Sequence, residues 1–76
     1  MQVTAFLRTS LFSLGGSDAH VPQGAMILDG TTEGPDKGVL VLNLTACRDH
    51  RGEKLACSPV RLSIPMSKID HLLLAD

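Results

Sequence analysis

The feature that most constrains this fold is an apolar run, Lys37–Thr45, followed by an alternating segment, Pro59–Ile64. The run is short, starts at a glycine, contains two valines and ends at a threonine. These features favour a strand over a buried helix. Asn43 interrupts one of its two faces, so we expect that face to be only partly buried. The other face is uniformly apolar and is predicted to be the core side; it carries Leu40, Leu42 and Leu44.

The polar segment between these two strands predicts a hairpin, with a loop formed by Arg51-Gly52 or by Asp49–Gly52. Gly52 suits a turn position with positive φ. Either loop pairs residues whose numbers have an odd sum, which places Cys47 and Cys57 on opposite faces, whereas a loop of about three residues brings them together. We therefore expect both cysteines to be free thiols that pack as small hydrophobic residues.

The amino-terminal half predicts two further strands. Val3–Arg8 favours a strand, and a short helix within Gln2–Leu14 is the alternative because its leucines also recur at helical spacing. Gly24–Leu28 is the second strand, and Asp29-Gly30 after it is typical of a turn. Thr31–Lys37 predicts a polar loop that leads into the central run.

The carboxyl-terminal segment predicts the last corner of a barrel. Pro65 ends the fourth strand because it cannot donate to a ladder, and Pro65–Ile69 is short enough for a single 3₁₀ turn. His71–Leu74 is a final short apolar strand. The chain is therefore predicted to be all-β: one domain over residues 1–76, a small five-stranded barrel with a short N-terminal helix or an extra strand.

The size of the chain favours self-association. Its 76 residues make one domain at most, and a core of this size yields only about 3–5 kcal/mol. Hydrophobic residues make up 43% of the chain, yet the only aromatic residues are two phenylalanines. We expect some of the aliphatic side chains to be buried between subunits of a homo-oligomer.

Charge and hydropathy limit the classes of partner that we expect and the cellular compartment of the protein. The net charge is −1 and the pI is about 6.2, unlike the strongly basic footprint of a typical nucleic-acid binder or a polybasic membrane anchor. No apolar run has the length of a membrane span, and the N-terminus lacks the pattern of a signal peptide. We expect a cytoplasmic protein with reduced thiols and no membrane partner.

The sequence indicates neither an enzyme nor a metal or cofactor site. Three histidines each lie within two residues of an aspartate: His20, His50 and His71. No His or Cys spacing is typical of a preformed metal site, and no nucleophile with a base, paired carboxylates or phosphate-binding glycine loop is present. A barrel of this size also offers little concave volume for a small-molecule substrate. We expect a protein that binds or assembles, without a cofactor.

With these segments assigned, the chain resembles the Sm-like small barrels, an SH3-like family that includes bacterial Hfq. The resemblance runs from Phe6 to Leu74. It is carried by Phe6–Thr9 with His20–Pro22, by Ala25–Gly30 (AMILDG), by Gly38–Asn43 (GVLVLN) and by Ile64–Leu74 (IPMSKIDHLLL). The lysine-histidine-alanine signature of Hfq is absent, and Ser67-Lys68-Ile69 lies near its place.

This resemblance implies subunit rings that form by edge-strand pairing and bind RNA at the pore. Residue by residue, it implies pore positions at Asp29, Asn43 and Lys68. Asn43 can hydrogen-bond a base edge and Lys68 can neutralise a phosphate, but the aromatic residue that would stack on a base is missing from such a site. Arg61 joins them as a candidate from a basic cluster interspersed with acidic residues; the cluster comprises Arg48, Arg51, Lys54 and Arg61.

Two functional hypotheses follow. The first is a structural or protein-interaction module that self-assembles through strand edges and has no role with nucleic acid. The second is an Sm-like oligomer that binds RNA. For Asn43 and Lys68, an exposed strand or turn residue without a ligand is the commoner role. The candidate interface residues are Val39, Val41, Leu72 and Leu74.

Overall fold

A computed structural model of the protein describes residues 1–9 and 24–75. These residues form one seven-stranded antiparallel sheet and a single 3₁₀ turn. In chain order the elements are β1 Gln2–Leu7, β2 Ile27–Thr31, β3 Pro35–Asp36, β4 Val39–Arg48, β5 Lys54–Leu55, β6 Val60–Pro65, the 3₁₀ turn Met66–Lys68 and β7 Ile69–Ala75.

The principal strands lie in the order β7-β1-β2-β4-β6, and the short strands β3 and β5 pair with the two ends of β4. The sheet curls into a half-barrel, so the all-β prediction is confirmed. The predicted amino-terminal strand is also confirmed, over Gln2–Leu7. The part of the resemblance that rests on His20–Pro22 lies outside the described residues, as does the leucine spacing beyond residue 9.

The predicted turn at Asp29-Gly30 is wrong, because both residues lie inside β2. The register between β2 and β4 shifts between these two residues, which leaves Thr45 of β4 as the extra residue of a β-bulge. Gly30 is required there for close packing: a Cβ on it would meet the carbonyl oxygen of Asn43 at well under 3.0 Å. The glycine marks a close approach of two backbones.

The predicted loop Thr31–Lys37 contains a second hairpin. Pro35 pairs with Leu40 and Asp36 with Val39, so β3 joins β4 through Lys37 and Gly38 alone. Both loop residues have positive φ, 55° and 78°, as a two-residue type I′ turn requires. The lysine at the first position concealed this turn, since asparagine or aspartate is usual there.

The β4–β5 hairpin closes around the carboxylate of Asp49, whose Oδ1 accepts hydrogen bonds from the amides of Arg51 at 2.8 Å and Glu53 at 3.0 Å. Gly52 has φ 86°, as predicted. The register is not as predicted: Arg48 pairs with Lys54, so the paired numbers have an even sum. The loop is one residue longer than the longer predicted loop, and this moves every later residue to the other face.

The interior lies on the leucine face of β4, as predicted. Leu40, Leu42 and Leu44 are fully or almost fully buried. They pack with alternate residues of the neighbouring strands. The rest of the buried core comprises Val3, Ala5, Leu7, Ala25, Leu28, Cys47, Ile64 and Ile69.

Candidate functional site

The described sheet ends in two free edges, β6 on one side and β7 on the other. In an antiparallel ladder, the backbone groups of alternate residues point towards the partner strand and those between them point away. Among residues 1–9 and 24–75, these free edges are the surface that we consider as the candidate functional site. The hydrogen bonds around each strand identify which residues face outwards.

On β6, the outward residues are Arg61 and Ser63. Met66 N–H donates to the carbonyl of Gly38 at 2.9 Å, and the register between β4 and β6 is regular. Val60, Leu62 and Ile64 therefore direct their backbone groups to β4, by alternation. Within the described residues, no group hydrogen-bonds the peptide N–H of Arg61 or Ser63.

On β7, the outward residues are Leu72 and Leu74. Arg8 N–H donates to the carbonyl of Lys68 at 2.8 Å, whereas Leu7 N–H donates to β2, so even-numbered residues of β1 bond to β7. Their partners across the ladder are His71 and Leu73 among others. The residues between those partners, Leu72 and Leu74, consequently turn their N–H and C=O groups to the open side.

The β7 edge is also apolar. The side chain of Leu74 is 61% exposed and that of Leu73 is 56% exposed, while Leu72 is half-buried against the core. Met1 lies at the adjoining end of β1 and is exposed as well. Exposed leucines beside unpaired backbone groups form a surface that favours pairing with another strand.

Val39 and Val41 do not lie on an edge. They are in β4, the central strand, where Val39 pairs with Asp36 on one side and Pro65 on the other. The carbonyl of Val41 accepts a 2.7 Å hydrogen bond from the Thr32 hydroxyl. The expectation that these valines supply an edge is therefore wrong: β4 is long enough to be covered along both sides.

The structure brings two of the four candidate RNA-binding residues together. Asn43 of β4 and Arg61 of β6 are directly opposite across the ladder, and both are exposed on the outer face of the sheet. Thr31 of β2 pairs with Asn43 on its other side, so the three side chains form one exposed polar row. An amide beside a guanidinium can hydrogen-bond a base and contact a phosphate.

Asp29 belongs to a different cluster. Its carboxylate accepts hydrogen bonds from the Thr4 hydroxyl at 2.7 Å and from Arg48 Nη2 at 3.1 Å and Nε at 3.3 Å. These contacts link three neighbouring strands above a shallow depression of about 200 Å³ that also includes Thr45. Because these hydrogen bonds already use both carboxylate oxygens, Asp29 acts as a bridge between strands.

Lys68 lies at the 3₁₀ turn, where its ammonium group donates to the Thr9 hydroxyl at 3.0 Å. The backbone N–H of Arg8 donates to the carbonyl of Lys68, and the Arg8 guanidinium lies 4.0 Å from the carboxylate of Asp70. Lys68 and Arg8 thus place two cations at one end of the outer face. This end of the sheet is separate from the Asn43 row.

Beside these cations is an aromatic pair that the sequence analysis missed. The rings of Phe6 and His71 are stacked, with centroids 4.3 Å apart and an interplanar angle of 8°. The imidazole Nδ1 lies 2.9 Å from the carboxylate of Asp70 and more than half of the side chain is exposed. Phe6 alternates with the buried residues Ala5 and Leu7, and that alternation was the signal that it faces outwards.

No family model matches the chain, and no curated protein or solved structure is significantly similar to it. None of the described helical segments is long and apolar enough to cross a membrane. Residues 1–9 and 24–75 contain no group of three or more His, Cys, Asp or Glu side chains placed to hold a metal ion.

Proposed function

We propose that this chain is a non-enzymatic subunit that assembles with copies of itself through the free edges of β6 and β7. The observation that carries this proposal is the pair of outward-facing backbone segments, Arg61 with Ser63 and Leu72 with Leu74. They lie at opposite ends of one sheet. A β6 edge of one copy can therefore pair with the β7 edge of the next.

Such pairing is heterologous, because two different surfaces meet at every interface. An open assembly of this kind keeps one free edge at each of its two ends, and a ring closes when the rotation between copies allows it. Pairing also covers the exposed Leu74, which gains the burial that a small core cannot supply. One strand pairing thus hydrogen-bonds the outward N–H and C=O groups of the edge and buries its exposed leucine.

The test is a proline at the β6 edge, measured by light scattering on a sizing column. Ser63→Pro removes an outward N–H and places a ring where the neighbouring strand would lie, while the β4 ladder keeps its hydrogen bonds. The matched control is Ser63→Ala, which keeps that N–H. We expect wild type and Ser63→Ala to elute as the same oligomer and Ser63→Pro as a monomer with unchanged circular dichroism.

A second pair of variants probes the β7 edge. Leu74→Lys places a charge at the edge, whereas Leu73→Lys places it on the outer face, on a side chain of similar exposure. Only the first is expected to reduce the mass. A wild-type monomer at micromolar concentration, or an oligomer unaffected by both Ser63→Pro and Leu74→Lys, contradicts self-assembly; the edges would then be left to a strand from a different protein.

The second candidate function is binding of RNA, and the Phe6–His71 stack favours it. Single-strand binders combine aromatic rings that stack on bases with cations that follow the backbone. Here the stacked rings lie beside Arg8 and Lys68 on an exposed face. An acidic group, Asp70, lies among them and reduces the local positive charge.

Fluorescence anisotropy with a labelled oligouridine at low salt tests this second function. His71→Ala is expected to weaken binding by about tenfold, the effect of losing one base stack, and the binding should fall steeply with salt. The control is His50→Ala, which removes an exposed histidine from the hairpin loop. The chain has no Trp or Tyr, so absorbance near 260 nm in the purified protein would also reveal bound nucleic acid. Equal binding by the two variants, or none by wild type, refutes it.

A further inference from the structure

The loop predicted from the sequence places Cys47 and Cys57 on opposite faces of the hairpin. The register in the structure places them on the same face. Cys47 is fully buried near the end of β4, and its ladder partner is Leu55 of β5. Cys57 follows Leu55 by two residues, and both pack partly buried against the core cluster that contains Cys47. Both thiols are free, and because Cys57 lies two residues beyond Leu55, the residue opposite Cys47, the two side chains face the same side of the hairpin.

The two thiols differ in their access to solvent. Cys57 is partly exposed in the connection between β5 and β6, whereas Cys47 has no exposed surface. Cys47 also contacts the carbonyl of Leu55 through its sulfur at 3.9 Å. An accessible thiol beside a buried one is the arrangement in which a reagent attacks one cysteine and the other resolves the product.

We propose that Cys47 and Cys57 form a reversible intrachain disulfide. This proposal does not depend on self-assembly or on RNA binding. The cross-link would join the end of the central strand to the segment that leads into β6, and so would hold the start of the β6 edge strand in place. The oxidant is a small disulfide such as glutathione disulfide.

The reaction proceeds in two exchanges. The thiolate of Cys57 attacks one sulfur of glutathione disulfide, a Cys57–glutathione bond forms, and one glutathione leaves and takes up a proton. Cys47 then loses its proton and attacks the Cys57 sulfur, which releases the second glutathione. The two protein thiols are oxidised, one glutathione disulfide is reduced to two thiols, and the two protein protons end on the glutathiones.

The environment of Cys47 sets the order of these exchanges. Burial raises the pKa of Cys47 to about 12, helped by the neighbouring Cys57 thiol and by the negative charges that Cys57 and Asp29 carry when ionised. Since the thiolate is the nucleophile, Cys47 is a poor first attacker and the second exchange is the slow one. Cys57 is therefore the site where the oxidant first reacts.

The experiment uses the full chain in glutathione redox buffers, followed by acid quench, alkylation and intact mass measurement. The expected product is a monomeric chain that has lost two hydrogen atoms, resists alkylation and returns to the dithiol with dithiothreitol. Its Tm should be higher by about 10 °C or more, because closing the loop between Cys47 and Cys57 lowers the conformational entropy of the unfolded chain.

Single variants separate the two roles. Cys47→Ser is expected to accumulate a glutathione adduct on Cys57, and Cys57→Ser to gain no adduct. Ser63→Pro, which tests assembly, should still form the disulfide, so failure of one proposal is distinct from failure of the other. A stable glutathione adduct on the wild-type chain, disulfide-linked dimers alone, or no oxidation in any buffer would overturn the proposal.

Discussion

Replacement of Gly30 by alanine should be one of the most damaging single-methyl changes in this protein. Gly30 is buried in β2 at the bulge that bends the sheet. A Cβ there would lie well inside the 3.0 Å limit from the carbonyl oxygen of Asn43, 2.9 Å from its carbonyl carbon and 3.2 Å from Leu42 Cδ1. Because two of these atoms are backbone of the central strand, no rotamer change relieves the overlap.

The expected loss follows from that geometry. Overpacking a core costs about 1–3 kcal/mol when side chains can shift, so a backbone collision should cost about 3 kcal/mol or more. A chain of 76 residues has a free energy of unfolding of about 4–11 kcal/mol. Gly30→Ala should therefore remove a large share of the stability and lower Tm by about 12 °C or more.

Urea unfolding followed by circular dichroism measures this loss, since the chain has no Trp for fluorescence. The matched control is Gly52→Ala in the hairpin loop, where nothing lies within 4 Å of the added Cβ and only the positive φ of 86° opposes it. That control should lose about 1–2 kcal/mol. If Gly30→Ala costs no more than Gly52→Ala, the close approach of β2 and β4 is not as described.

Two further changes test the polar contacts that support the sheet. Thr32→Val should cost about 2 kcal/mol in urea unfolding, because the buried Thr32 hydroxyl donates to the Val41 carbonyl at 2.7 Å and also accepts an amide hydrogen bond; a loss under about 0.5 kcal/mol would contradict that role. For Asp49, desolvation alone raises the pKa, but the amides of Glu53 and Arg51 and the charge of Arg51 outweigh it and lower the pKa below its usual 3.8. The stabilisation is therefore present above that value and lost as pH falls through the lower folded pKa, so Asp49→Asn should be less stable than wild type near about pH 6 and equal to it near about pH 2. A deficit that does not change with pH would contradict the linkage.

Local patterns in the sequence were sufficient for several elements. The alternation of Leu40, Leu42 and Leu44 with polar or smaller residues predicted the core face of β4, and burial confirms it. Pro65 followed by a short polar segment predicted the 3₁₀ turn, which lies at Met66–Lys68. These predictions succeeded because each depends on the period of one strand or on the backbone limits of a single residue.

Positions that depend on a second strand were harder to predict. Asp29-Gly30 has the composition of a turn, but the approach of Asn43 makes it the interior of a strand. Val41 was a candidate for the assembling strand edge, but β4 is covered on both sides. Nothing in either local sequence reports how close a partner strand comes or how far it extends.

The candidate sites show the same division. Asn43 and Arg61 were chosen separately from their chemistry, and the hairpin register made them neighbours. Phe6 and His71 lie at opposite ends of the chain, so only the pairing of β1 with β7 could reveal their stacking. Long-range pairing decides such contacts.

By itself, then, the sequence determined the class of the fold and the inward faces of its main strands, because these follow from the spacing of apolar residues along one segment. The tertiary structure decided which edges remain open, where the sheet bends and which side chains meet. The cysteines show the reason most clearly. One residue of hairpin loop moves Cys57 from the far face to the side of Cys47, since the side-chain period of a strand is two and a shift of one reverses every face beyond it.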